Sequence, residues 1–268
     1  MALASDRCIC VRKFEYSETS QILTLLSREH GLLRVIAKGA HRVTKAGAGR
    51  FDGGIDLLDA GNALFTDDTH RELGTLTEWK LADGHLKLRS RLRSLYLGLY
   101  AVELVSLLIE EHDPHPRIFD QLETLLNDLA SPGQEELFLV FELDLLREAG
   151  FSPQLDMCVS CGQSSGDRDP VYFSSARGGV ICRNCQTVVP DRMSIDPRLV
   201  RLLQSLQLPA SNLSRRLPRL TRHQTDPLNQ LLSRHLEDRL SRHLRMPRYI
   251  LECRSTSERL PARVGHSG

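Results

Sequence analysis

Two periodicities divide the chain. Up to about residue 82 apolar and polar positions alternate in short runs, and from residue 83 onward apolar positions recur at helical spacing. The clearest alternation lies in FEYSETSQILTLLSREHGLLRVIAKGAHR, where β-rich runs at 21–26 and 32–38 flank a glycine-containing turn at 28–31 and predict a hairpin. Side chains alternate across a strand, so Leu33, Val35 and Ala37 share one face while Leu32, Arg34, Ile36 and Lys38 share the other. Two cations are thereby placed together. Further strands are predicted at 55–58, 63–66 and 72–79, with Gly53, Gly54, Gly61, Asp67 and Asp68 between them. Cys8 and Cys10 fall two apart on one face of another.

The stretch HLKLRSRLRSLYLGLYAVELVSLLIEEHD carries Leu88, Leu92, Leu95, Tyr96, Leu99, Val102 and Val105 at helical spacing, and IFDQLETLLNDLA repeats the pattern with Ile118, Leu122, Leu125 and Leu129. A third helix is predicted to open at SPGQEELF, with Ser131 as cap, Pro132 in the first helical position and Gln134 completing a capping box, and to stop at Gly150. Asp196-Pro197 and Asp226-Pro227 read as two later helix starts. About five short strands in roughly eighty residues suit a small β-barrel of the OB type, a fold that commonly binds oligonucleotides. The pattern therefore predicts a multidomain α+β protein, with an N-terminal OB-fold barrel at 1–82, an α-helical domain at 83–254, a cysteine-bearing insertion at 151–190 and a flexible tail at 255–268.

That insertion reads CVSCGQSSGDRDPVYFSSARGGVICRNC, and two C-x2-C pairs about twenty residues apart have the spacing of a tetrahedral zinc site built from two knuckles. Gly162 sits where the first knuckle must turn. A catalytic zinc keeps one position open, whereas Cys158, Cys161, Cys182 and Cys185 would close the shell, so a single structural zinc ion is expected in an inserted four-cysteine knuckle. Of the seven cysteines the other three, Cys8, Cys10 and Cys253, read as small apolar residues. The N-terminus has no apolar stretch long enough for a signal segment, and no run approaches the roughly 18 apolar residues of a membrane span. A cytoplasmic protein with reduced thiols is expected, which favours metal over disulfides.

The net charge of +1 conceals strong segregation. Residues 7–50 carry Arg7, Arg12, Lys13, Arg28, Arg34, Lys38, Arg42, Lys45 and Arg50 against Glu15, Glu18 and Glu29, and the next thirty residues reverse the sign. Charge runs are usually solvated faces; the sharper reading is a basic groove in the N-terminal module. Arg215, Arg216, Arg219, Arg222, Arg234, Arg242 and Arg245 form a second basic region. Catalysis finds no good candidate. His70-Arg71-Glu72 matches the H-x-E half of a deaminase signature, but Met157 precedes Cys158 where proline is required, and Cys182 and Cys185 would have no role. Cys158 and Cys161 lack the βαβ context of a redox pair, His112 and His115 read as solvated linker residues, and GAHRVTKAGAG is not a P-loop.

The run Y-x-E-x-S-x-I-L-T-L-L-S-R-E-H-G-L-L-R-V-I-A-K-G-A, then FSPQLDMCVSCG, then FSSARGGVICRNC, closely resembles the bacterial RecO family over nearly the whole chain. The resemblance implies an OB-fold, a helical domain and an inserted zinc knuckle, with Cys158, Cys161, Cys182 and Cys185 matching the zinc ligands. It implies a non-enzymatic recombination mediator of the RecF pathway. Such a protein binds single- and double-stranded DNA without sequence preference, anneals complementary strands, works with RecR and the C-terminal tail of the single-stranded DNA-binding protein, and assists RecA at the nucleoid. The family's basic strand-turn, usually K-G-A-R-R, appears as Lys38-Gly39-Ala40-His41-Arg42, with His41 in place of an arginine. Arg34, Lys38, His41, Arg42 and Lys45 are the expected DNA contacts. Of the stacking candidates Phe14, Tyr16, Phe51 and Phe65, most are expected in the core, so electrostatics should dominate. Lys87, Arg89, Arg91 and Arg93 read as solvated surface or as contacts for the acidic tail. The competing reading is a zinc-ribbon transcription factor, which would prefer one duplex sequence.

Overall fold

A computed structural model describes residues 2–41, 50–51, 53–67, 73–164, 171–207 and 217–253. Arg42, Lys45, Arg215, Arg216 and the tail at 255–268 lie outside the described residues. The chain divides into two compact units, Met1–Pro132, which Cys253 joins, and Gly133–Glu252.

In the first unit β1 (Ala2–Glu15), β2 (Gln21–Ser27), β3 (Gly31–Ala37), β4 (Ala60–Asp67) and β5 (Gly74–Asp83) close into a barrel of order β1-β2-β3-β5-β4. All pairings are antiparallel except β3 with β5. The predicted hairpin forms with Gln21 opposite Ala37 and Leu26 opposite Leu32. Its inward positions Leu23, Leu25, Leu33, Val35 and Ala37 join Cys8, Cys10, Phe51, Phe65 and Trp79 in the barrel core. Alternation predicted this hairpin because the positions that alternate in sequence are the ones that lose water.

The predicted strand at 55–58 is instead a turn. The Asp56 N–H donates to the Asp59 carboxylate at 2.8 Å and the Asp59 N–H returns to the Asp56 carbonyl at 3.2 Å, while Leu58 adopts a φ of 71°. An aspartate side chain offering the backbone a local partner favours a turn over a ladder, however apolar the residues between. The buried Gln21 amide fixes this turn, donating to the Ile55 carbonyl at 3.1 Å and accepting from its N–H at 3.0 Å. The fifth strand is β1. A bulge between Cys10 and Arg12 shifts its register by one residue.

Helices α1 (Leu86–Arg89), α2 (Leu92–Leu108) and α3 (Pro116–Asp128) follow the barrel. In α3 the predicted stripe Ile118, Leu122 and Leu125 is buried, as is Leu129 just beyond it. In α2 Val102 and Val105 are buried, but Leu92, Leu95, Tyr96 and Leu99 are only half-buried, and Leu97, Tyr100, Ala101 and Leu104 go deeper. A helix apolar on nearly every side gives no single stripe to read. Two cations of the basic run tie α3 to the barrel: the Arg7 Nε meets Glu123 at 2.7 Å, and Arg28 grips both oxygens of Asp120 at 2.8 and 2.9 Å. They belong to the fold and not to a groove.

The second unit opens with α4 (Glu135–Glu148). Its start lies later than predicted: the N-cap is Gln134, without a side-chain bond, and Gly133 at φ 70° keeps Pro132 outside the helix. Its stop is as predicted, since Gly150 takes φ 76°, its N–H reaches the Arg147 carbonyl at 3.2 Å and the Phe151 N–H reaches Leu146 at 2.7 Å. Those paired bonds are a Schellman closure, which glycine enters without a Cβ penalty. Strands β6 (Val171–Ser174), β7 (Gly179–Ile181) and β8 (Arg192–Ile195) form a small sheet of order β7-β6-β8. Helix α5 (Pro197–Leu206) is capped by the predicted Asp196, which accepts the Arg198 N–H at 2.8 Å. Helix α6 (Arg222–Leu240) begins before Asp226, with Pro227 inside it, because Thr221 and Gln224 form a reciprocal capping box there. Helix α7 (Pro247–Glu252) follows.

Candidate nucleic-acid interface and metal centre

Arg34 and Lys38 are both exposed, on and just past β3, on the side opposite its core residues. His41 is exposed in the turn that follows, its N–H bonded to the Thr19 carbonyl at 3.3 Å. The β1–β2 connection and the chain beyond β3 therefore lie side by side, with His41 at that end of the hairpin and Arg34 further along β3, opposite Thr24. Two of these side chains already face an acid. The Arg34 Nε lies 3.8 Å from the Glu111 carboxylate, and the His41 Nε2 lies 2.9 Å from Glu15. That His41 bond is the main cause holding the Glu15 carboxyl below its ordinary value. Neither acid was anticipated as a partner, since Glu111 comes from the far side of α2 in sequence.

The aromatic candidates separate. Phe51 and Phe65 are core residues at 4% and 0% exposure, whereas Phe14 and Tyr16 are exposed at 58% and 65%. Lys87 and Arg91 are exposed. Arg89 is not simply solvated: it binds the Gly84 carbonyl at 2.8 Å, Asp59 at 3.0 Å and Asp56 at 3.3 Å, tying α1 to the 55–59 turn.

In the second unit the four predicted cysteines converge, with all four sulfurs within 4.8 Å of one another. Cys161 and Cys182 stand 3.7 Å apart, and a tetrahedral ion with metal–sulfur bonds of about 2.3 Å sets sulfurs about 3.8 Å apart. The first knuckle turns at Gly162, at φ 73°, whose N–H returns to the Cys158 carbonyl at 2.8 Å. The second opens a 3-10 helix, Arg183–Val188, with the Cys185 N–H on the Cys182 carbonyl at 3.1 Å. Val189 and Ile181 pack with Cys158 beneath them. Burial alone would raise the Cys158 thiol, but N–H donors from Cys182, Ser160 and Cys161 outweigh it and draw the thiol down to about 6. Cys185, hydrogen-bonded to Cys182, is pushed up to about 12. Without a cation one thiolate suppresses ionisation of its neighbours; a metal ion lets all four ionise. The donor set and its spacing fit a metal ion. Cys8 and Cys10 are different, for burial in the barrel core raises both thiols.

Among the described residues no helix is long and apolar enough to cross a membrane. The family model described as Recombination protein O N terminal matches residues 1–85, and that described as Recombination protein O C terminal matches residues 89–247. The protein named DNA repair protein RecO from Rhodopirellula baltica is 34% identical over 180 residues, 66% of this chain and 65% of its own length, slightly under two thirds of it. The proteins of that name from Anaeromyxobacter sp. (strain K) and Myxococcus xanthus are each 30% identical, over 87% and 88% of this chain and 91% and 93% of their own lengths. With both parts of the family matched in order, on an OB barrel followed by helices and a four-cysteine cluster, the chain belongs to the recombination protein O family.

Proposed function

We propose that this chain is a non-enzymatic recombination mediator of DNA repair. The observation that carries the reading is the placement of Arg34 and Lys38, two exposed cations on the outer side of β3 in a closed OB barrel. Cations along such a surface neutralise phosphates, which supplies affinity for single and double strands without reading bases. Two strands held there repel one another less, so complementary bases can meet and anneal. Arg42 and Lys45 follow in sequence and extend the cationic run, with His41 beside them as a further polar contact. Family membership supports action with RecR, contact with the C-terminal tail of the single-stranded DNA-binding protein, and assistance to RecA at the cytoplasmic nucleoid.

The four thiolates of Cys158, Cys161, Cys182 and Cys185 would hold one zinc ion in a closed shell, a structural site that fixes the knuckles against the small sheet. The test is fluorescence anisotropy with several unrelated oligonucleotides, single- and double-stranded. Affinities within about threefold of one another across sequences support sequence-independent phosphate binding. A preference confined to one duplex would favour a transcription factor instead.

A further inference from the structure

The bulge in β1 decides which of its later side chains reach the outer face of the barrel. Cys8 and Cys10 point into the core, so an unbroken strand would send Arg12 and Phe14 inward with them. The register shift between Cys10 and Arg12 reverses the alternation. Arg12 then stands opposite Thr24 and Phe14 opposite Ile22, and on the next strand Thr24 faces Arg34 and Ile22 faces Ile36. Two parallel rows result: a cationic row, Arg12–Thr24–Arg34, and an apolar row, Phe14–Ile22–Ile36. Ile22 and Ile36 are half-buried, Phe14 is exposed, and the Arg12 guanidinium lies 5.6 Å from the Phe14 ring centroid. Tyr16 stands exposed where β1 turns towards β2, its N–H on the Ser20 carbonyl at 2.9 Å.

We infer that this face is a base-stacking platform for single-stranded DNA, on which Phe14 and Tyr16 take unpaired bases while Arg12 and Arg34 take the adjoining phosphates. The inference rests on the DNA-binding reading above and adds to it a means of telling single strands from duplex. A polyanion whose flat apolar faces are open matches parallel cationic and apolar rows; duplex DNA, its bases already stacked, can use only the cations. A protein partner would meet a three-residue apolar row with Arg12 and Arg34 along one side, which favours the nucleic acid.

The test uses the full chain with Phe14→Ala, Tyr16→Ala, both together, and Phe14→Trp. Each is titrated against a single-stranded oligonucleotide, an abasic oligomer of equal length and a duplex. The expected result is that the double alanine variant loses about fivefold to a hundredfold in single-strand affinity. Its abasic and duplex affinities and thermal unfolding should stay nearly unchanged, and Phe14→Trp should keep the wild-type single-strand affinity that Phe14→Ala loses. An equal loss on all three ligands overturns the inference, as does an unchanged single-strand affinity. If the variants keep single-strand affinity but lose association with RecR, the face is a protein interface and the inference is likewise overturned. Wild type that binds none of the three ligands overturns the DNA-binding reading itself, whereas binding that is salt-sensitive but indifferent to Phe14 and Tyr16 overturns stacking alone.

Discussion

Arg34, on the outer side of β3, faces the carboxylate of Glu111 at 3.8 Å, with both side chains about half exposed. The same segment is anchored beside β3, since the His112 N–H donates to the Leu32 carbonyl at 3.1 Å. In the proposed function Glu111 would compete with a phosphate for Arg34. Exposed pairs of this kind are worth only about 0.2–1 kcal/mol, so the acid competes without closing the site. Glu111→Gln should tighten single-strand binding by about 1.5- to fivefold and leave the melting temperature nearly unchanged. Anisotropy titration at low salt checks this; weaker binding would mean that Glu111 positions Arg34 for DNA.

Arg89 serves the fold. Its contacts to Gly84, Asp59 and Asp56 join α1 to the 55–59 turn that precedes β4. Truncating Arg89 leaves the part-buried Gly84 carbonyl and Asp59 carboxylate unmatched, while the exposed Asp56 stays solvated, at about 1–3 kcal/mol. Arg89→Ala should lower stability by that order in urea unfolding while leaving single-strand affinity unchanged once the protein is folded. A loss of affinity with unaltered stability would place Arg89 in a binding site instead.

Asp6 links the β2–β3 turn to β1 through the Ser27 hydroxyl, the Glu29 N–H at 2.7 Å and the Arg7 N–H at 2.7 Å. Burial would raise its carboxyl, but these donors outweigh burial and hold it below its ordinary value. A folded pKa below the unfolded one, about 3.9, means that the stabilisation is present above that value and is lost as pH falls through the folded one. Asp6→Asn should therefore destabilise the protein by about 1–3 kcal/mol at neutral pH, with the difference from wild type shrinking below about pH 4. Urea midpoints measured from pH 7 to pH 3 decide it, and a constant difference would contradict the assignment.

For the metal centre the expected stoichiometry is one zinc per chain by elemental analysis, abolished by Cys158→Ser with Cys182→Ser. Removing the ion should raise hydrogen exchange in β6, β7 and the 3-10 helix, because the ligands are not assembled in an unfolded chain. Single-strand affinity should persist, since Arg34 and Lys38 belong to the other unit. Metal-free protein with unaltered exchange would contradict a structural ion.

The hairpin, the α3 stripe and the cysteine cluster were legible because each is written in local spacing: period two, period 3.6 and paired C-x2-C. What escaped depends on partners distant in sequence. Arg7 and Glu123 are 116 residues apart and Arg28 and Asp120 are 92 apart, so a basic run that looked like one groove includes cations already used by the fold. The turn at 55–59 escaped because its apolar residues imitate a strand while Asp56 and Asp59 set the backbone. The β1 bulge escaped for a related reason: one extra residue reverses which side chains face water, and only pairing with β2 reveals it. Of the four stacking candidates Phe51 and Phe65 are core residues, whereas Phe14 and Tyr16 are exposed.

The central claim, that exposed cations on β3 bind DNA by neutralising phosphates, is tested most directly by the salt dependence of single-strand affinity for wild type, Arg34→Ala and Lys38→Ala. Log affinity should fall linearly with log salt, and each substitution should flatten the line by about 0.7 while weakening unrelated sequences alike. Thermal unfolding should be nearly unchanged, because both positions are exposed. Slopes identical to wild type in both variants would contradict the account and move the DNA contacts away from this face.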